Sequence, residues 1–151
     1  MTVIRRIAFS ELYADPEFQK LVDEYAKESS IDGMPETKPD ANAYETMERL
    51  GMQHFFAAFA GEKLIGFITV LVTPVPHYSR KIGSTESFFV AKEYRSTGTG
   101  LKLLRTAEQC AKECGAVGFF VSGPTGGRLA EVMPRIKGYR ETNRVFFRSL
   151  L

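Results

Sequence analysis

"VAKEYRSTGTGLKLL", residues 90–104, sets an arginine, three hydroxyl side chains and two glycines directly ahead of an apolar helical run. A helix N-terminus leaves about four backbone N–H groups without partners and carries roughly half a positive charge. An anion complements that arrangement. Gly98 and Gly100 remove side chains where the backbone must approach closely or take positive φ, and Arg95 adds a permanent charge able to fork onto phosphate oxygens. Ser96, Thr97 and Thr99 add hydroxyl donors, so the whole loop suits a pyrophosphate cradled by main chain. A Walker loop needs a Lys after its second glycine, which is absent. A dinucleotide fingerprint needs a third glycine where Leu103 stands. The plainer alternative is a glycine turn that merely starts a helix.

The run after the loop fixes the next element. From Thr99 to Glu113, Leu101, Leu103, Leu104, Ala107, Cys110 and Ala111, continued by Cys114, fall in one half of a helical wheel, which predicts an amphipathic helix packed on a sheet. Upstream, "QHFFAAFAGEKLIGFITVLV" reads as strands 53–60 and 63–72 joined by a hairpin turn, "TPVPHYSRK" as an exposed loop, and "IGSTESFFVA" as a further strand. Nearer the N-terminus, "TVIRRIAF" suits a first strand. A helix follows with Ser10 as N-cap and a reset near Pro16, then a loop from Ile31 to Asn42 and a short helix "AYETMERLG". Downstream come a buried strand "VGFFVS" and a helix "RLAEVMPRIKG" interrupted by Pro134. Two closing strands are expected around "ETNR". This order predicts mixed α/β architecture with an antiparallel first half rather than a doubly wound parallel sheet.

At 151 residues and 44% hydrophobic the chain reads as one domain, 1–151. Twenty basic residues against eighteen acidic give a formal net charge of +2 with no basic stripe, so nucleic acid is not expected as a partner. No signal peptide and no apolar run near ~18 residues is evident, so no membrane association and a cytoplasmic location are expected. Cys110 and Cys114 lie one helical turn apart. A metal site would need further Cys or His, and His54 and His77 are distant in sequence, so two small buried thiols and no metal are expected.

The segment "FFVAKEYRSTGTGLKLLRTAEQCAKECGA" resembles the acyl-CoA-binding segment of the GNAT superfamily of N-acetyltransferases. That family's signature is Gln or Arg, two residues, Gly, one residue, then Gly or Ala, placed after a strand and opening a long helix. Here it reads Arg95-Ser96-Thr97-Gly98-Thr99-Gly100. The lead-in Val90 to Arg95, the late "IKGYRE" and the element order along nearly the whole chain resemble the family too, and "SGPTGGRL" with "VFFRSL" is most similar to its phage or prophage members.

The resemblance implies a central, mostly antiparallel mixed sheet split by a β-bulge, flanked by about four helices, with acetyl-CoA as co-substrate. The backbone of Phe88, Phe89 and Val90 would bind the pantetheine amides, the Val90 N–H would polarise the thioester carbonyl, and residues 95–100 with the Leu101 N–H would take the pyrophosphate. Glu86 is the expected base, since period two puts it on one side with Ser84, Phe88 and Val90; a solvated strand carboxylate is the alternative. The family's usual acid, a Tyr on the last helix, is replaced by Pro134, leaving Tyr139, Tyr94 or water. Its Asn after the fifth strand is missing, leaving Ser122, backbone or Arg128. Tyr44, His77 and Tyr78 are candidate walls for a small-molecule or peptide amine, with Asp32, Glu36 and Asp40 offering negative charge. An acetyltransferase acting on a primary amine is the first reading, a non-catalytic acyl-CoA-binding module the second, and a homodimer is compatible with both.

Overall fold

The computed structural model describes residues 1–151. Its elements are β1 (Thr2–Arg6), α1 (Phe9–Ala14), α2 (Phe18–Ser29), α3 (Ala41–Arg49), β2 (Gln53–Ala60), β3 (Lys63–Val75), β4 (Arg80–Val90), a 3₁₀ turn (Lys92–Thr97), α4 (Thr99–Glu113), β5 (Ala116–Phe120), α5 (Arg128–Val132) and a second 3₁₀ turn (Met133–Arg135). The strands form one sheet in the order β1-β2-β3-β4-β5, antiparallel except for the parallel β4–β5 pair. This is the mixed α/β, mostly antiparallel sheet that the element order predicts.

The sheet has a core on each side. Phe55, Ala57, Leu64, Phe67 and Phe89 meet Phe9, Leu12, Phe18, Leu21 and Val22 from α1 and α2. On the other side Phe56, Ala58, Ile68, Val70 and Val90 meet Leu103, Ala107, Cys110 and Ala111 from α4. Phe9, Phe55, Leu103 and Leu104 are almost fully enclosed, each burial stabilising by about 1.5–3 kcal/mol.

Ser10 does not cap α1. The helix starts at Phe9 after Ala8, and the Phe9 N–H is satisfied by Glu48 Oε2 of α3 at 3.0 Å, a partner that no local pattern announces. Pro16 does end that helix, and α2 restarts at Phe18. β3 continues past the expected end at residue 72 through Pro74. Pro74 is tolerated because the Val72 N–H makes the last bond on the β2 side, to Met52 O at 2.8 Å, after which that edge of β3 needs no donor. Pro134 likewise ends α5 early by forcing the turn Met133–Arg135.

The strand "VGFFVS" is not fully buried. β5 is an edge strand, with Val117 59% and Phe120 46% exposed, while Phe119 packs on the α4 core. The two closing strands do not form, and residues 140–151 adopt no regular structure. Strand-forming residues prefer a pleated surface with a partner to pair with. Here the tail runs back to the α2–α3 loop instead, where Ser149 Oγ reaches the Gly33 carbonyl at 3.5 Å, leaving Val145 and Phe146 exposed. No helix is long and apolar enough to cross a membrane.

α4 lies close to β4 because Gly83 has no side chain. A Cβ there would stand 2.8 Å from Ala111 Cβ and 2.8 Å from a Phe119 ring carbon. Gly83→Ala is therefore expected to destabilise the fold by about 1–3 kcal/mol through forced repacking, lowering the melting temperature by roughly 2–4 °C per kcal/mol. Calorimetry reads this directly; an unchanged midpoint would show that α4 retreats without cost.

Candidate active site

A single inserted residue organises the site. Thr69 of β3 pairs with Ser87 and the next residue, Val70, pairs with Thr85, so Glu86 is the extra residue of a β-bulge. The bulge resets side-chain parity. Phe88 and Val90 pack toward α4, while Glu86 turns to the α1–α3 side. The expectation that Glu86 shares a side with Phe88 and Val90 therefore fails, because period two holds only along an unbroken strand. Both of its oxygens are engaged: Tyr44 Oη donates to Oε1 at 2.5 Å, and Thr69 Oγ1 at 2.7 Å and Gln53 Nε2 at 3.2 Å donate to Oε2. Burial, and then the bond to Glu86, push the Tyr44 phenol far above its ordinary range, so it stays protonated and donating.

Past the bulge the sheet opens. β5 pairs with β4 at Lys81, Gly83 and Ser84, and the last link is the Ser122 N–H to Thr85 Oγ1 at 3.3 Å. From there β4 diverges from the chain that follows β5, and a cleft of about 320 Å³ fills the gap. Phe88, Phe89 and Val90 line it along β4, and Leu129, Val132, Met133 and Ile136 form the opposing apolar wall. The Ala91 N–H donates to Ile65 O at 2.8 Å, so alternation in the antiparallel ladder commits the Phe89 backbone to β3 and turns the amides of Phe88 and Val90 into the gap. Phe89 offers the cleft its ring rather than its amide.

The loop after β4 closes one end. Gly98 precedes α4 with φ of 80°, a left-handed conformation that suits glycine, and no side chain caps the helix. Its first N–H groups are thus without intrahelical partners, beside Gly98, Gly100 and Leu101 in the cleft lining. A Cβ on Gly100 would point to Phe88 and Val90, 3.8 and 3.9 Å away, so the missing side chain is part of the cleft's space. The hydroxyls are turned to other work. Thr97 Oγ1 donates to Tyr94 O at 2.6 Å, and buried Thr99 meets Thr97 at 2.7 Å and Thr2 at 3.2 Å, while Ser96 is exposed. Arg95 lines the cleft with its charge already partnered: Nε donates to Val90 O and Nη2 to Glu28 Oε2, both at 2.8 Å, with the guanidinium 5.1 Å from the Phe89 ring centroid.

Other expected residues scatter. Tyr44 holds Glu86 and stacks on Phe9 at 4.7 Å, whereas His77 and Tyr78 sit at the β3–β4 hairpin tip, about 20 Å along β4 from Glu86 at the usual strand rise. Asp40 caps α3 through the Ala43 N–H at 3.1 Å, and Asp32 and Glu36 are exposed. Tyr139 leaves the site: its hydroxyl donates to Glu108 at 2.6 Å on α4, and burial with that bond raises its pKa well above the ordinary range. Tyr94 is wedged between the two cores. Arg128 does line the cleft. Tyr25, Glu28 and Ser29 of α2 line it too, and the sequence reading missed all three because Tyr25 merely continues the apolar stripe of α2. Burial chiefly, and to a smaller degree the Glu86 carboxylate, push the Tyr25 phenol up.

The family model described as acetyltransferase (GNAT) family matches residues 8–124. The chain belongs to that family. As a GNAT enzyme it transfers acetyl groups. Solved structures share the GNAT fold over almost the whole chain: an aminoglycoside acetyltransferase from an uncultured soil metagenomic sample, in complex with trehalose, has TM-score 0.76 at 21% identity, covering 99% of this chain and 96% of its own. AAC(6')-Iy in complex with the bisubstrate analog CoA-S-monomethyl-acetylneamine has TM-score 0.74 at 19% identity, covering 98% and 97%. Ribosomal-protein-alanine N-acetyltransferase from Brucella melitensis biovar Abortus 2308 has TM-score 0.72 at 17% identity, covering 98% and 99%. No curated protein sequence matches the chain. The bulge, the end of β4 and the uncapped helix start of this GNAT chain are consecutive, so one stretch from β4 to α4 carries one wall of the cleft.

Proposed function

We propose that the chain, acting as a single domain over residues 1–151, is an acetyl-CoA-dependent N-acetyltransferase that moves an acetyl group directly to a primary amine of a small molecule or peptide. The observation that carries this reading is the gap beside β4, where the amides of Phe88 and Val90 and the uncapped start of α4 border one cleft of about 320 Å³. The donor set fits: strand amides suit pantetheine amides, and helix-start amides with Gly98, Gly100 and Leu101 suit a pyrophosphate. Ser96, Thr97 and Thr99 would contribute main chain there, and Arg95 would hold the loop in shape, with Arg128 as the free charge.

Acetyl-CoA supplies the acetyl group as an activated thioester. The Val90 N–H is the oriented donor for a carbonyl that gains negative charge, an interaction worth about 3 kcal/mol. Glu86 takes the ammonium proton of the acceptor on Oε1, which holds one hydrogen bond and keeps a lone pair. Tyr25, the one phenol lining the cleft, stays protonated and serves as proton donor in place of the tyrosine that Pro134 replaces. Tyr44 walls the acceptor side beside Glu86. His77 and Tyr78 are reached only by an acceptor extended along the β3–β4 hairpin, as a peptide would be.

Isothermal titration with acetyl-CoA and CoA, followed in the same samples by thiol release with a panel of amines, tests the reading. Binding with turnover is expected. Binding without turnover on any amine would support the non-catalytic module, and no binding would remove the cofactor assignment.

A further inference from the structure

The fold brings together residues that the sequence keeps far apart. Cys110 lies on α4 and Cys114, one turn on, is its C-cap residue, while His54 stands on the side of β2 that sends Phe56 and Ala58 into the α4 core. His54 Nε2 is 3.5 Å from Cys114 Sγ, and the ligand atoms of His54, Cys110 and Cys114 all lie within 4.8 Å of one another. Cys110 is buried, and the other two are half-buried. Zinc bonds of about 2.3 Å to sulfur and 2.0–2.1 Å to nitrogen imply tetrahedron edges of roughly 3.5–3.8 Å, so the widest separation, at most 4.8 Å, need shorten by only about one ångström.

Arg6 already engages two of these three residues. Its Nη1 lies 3.0 Å from His54 Nδ1 and its Nη2 donates to Cys110 Sγ at 3.3 Å, with the guanidinium 5.0 Å from the Phe56 ring centroid. The guanidinium sits on Nδ1 while Nε2 faces Cys114, so it is the Cys110 thiol for which Arg6 and a metal ion would compete. Arg6 also borders an open cleft of about 430 Å³, with Arg105, Gln109, Cys110 and Glu113 around it, which gives the side chain room to withdraw and an incoming ion a route.

We propose that His54, Cys110 and Cys114 form a binding site for a thiophilic d¹⁰ cation, Zn²⁺ or Cu⁺, with Arg6 swinging aside as the ion enters. Thiolate and imidazole are the donor types these ions favour, and the fourth position, open to the neighbouring cleft, is left to water for zinc and unused in trigonal copper. The ion would clasp α4 to β2, away from the acetyl-transfer cleft.

The test uses full-length reduced protein without oxygen. Zn²⁺ is titrated against a chromogenic chelator, Cu⁺ against bathocuproine disulfonate, and Co²⁺ serves as a spectroscopic stand-in for zinc. One ion per chain held against at least one chelator is expected, and the two arms tell zinc from copper. If zinc is the ion, cobalt should show a thiolate charge-transfer band. Cys114→Ser and His54→Gln, at half-buried positions, should each weaken retention by about tenfold or more, and Arg6→Gln should tighten it by removing the competitor. Circular dichroism confirms that each variant is folded. Failure to retain either ion would overturn the site, as would retention that none of the three substitutions changes.

Discussion

Gly100→Glu is expected to weaken acetyl-CoA binding by about a thousandfold while leaving the melting temperature nearly unchanged. A Cβ at residue 100 meets only Phe88 and Val90 at ordinary contact distances, so the folded chain tolerates it. The rest of the glutamate must enter the cleft, against the uncapped amides of α4 that the pyrophosphate would occupy. Losing two or three charge-assisted hydrogen bonds at about 1.5–3 kcal/mol each, plus repulsion between carboxylate and phosphate, exceeds the ~4 kcal/mol that a thousandfold represents. Gly98 would be a poorer probe, since its φ of 80° adds backbone strain to the effect of any side chain. Titration calorimetry beside thermal unfolding separates the outcomes, and normal affinity in the folded variant would remove the pyrophosphate from this loop.

Glu86→Gln is the second large effect. Turnover should fall by about a hundredfold or more with acetyl-CoA affinity within about twofold of the parent, because a general base contributes 10²–10⁴ to rate and the carboxylate does not line the cofactor cleft. The substitution keeps shape and acceptor capacity on one atom, so the bonds from Thr69 and Gln53 or from Tyr44 survive in part and the bulge persists. Steady-state kinetics beside titration calorimetry reads the split between turnover and affinity, and unchanged turnover would assign Glu86 to holding the bulge alone.

Much of this site was legible because helix starts are local. Six residues from Arg95 to Gly100 state an uncapped turn in one dimension, and the structure keeps it. Glu86 was legible as a strand carboxylate but not in its direction, since a bulge belongs to two strands and depends on how β3 meets β4. The closing strands misled for a related reason: "VFF" carries strand preference, yet preference without a neighbouring edge leaves Val145 and Phe146 in solvent. Tyr25 looked like one more apolar stripe residue, and only its place in the cleft lining sets it apart. His54 and Cys114, 60 residues apart, meet by tertiary packing alone.

Arg95 is held at three points on two elements: the Val90 carbonyl and the Phe89 ring of β4, and the last turn of α2 through Glu28. A loop so fastened has surrendered its conformational freedom before any partner arrives. Ordering entropy is therefore charged to folding instead of to association, and capture need not wait for a rare closed conformer. If the cleft takes the proposed cofactor, the same rivet sets a limit in the other direction, because parting β4 from α2 would first separate the guanidinium from the Glu28 carboxylate. Selectivity for a slender arm would then be mechanical, fixed by how far one side chain lets two walls separate.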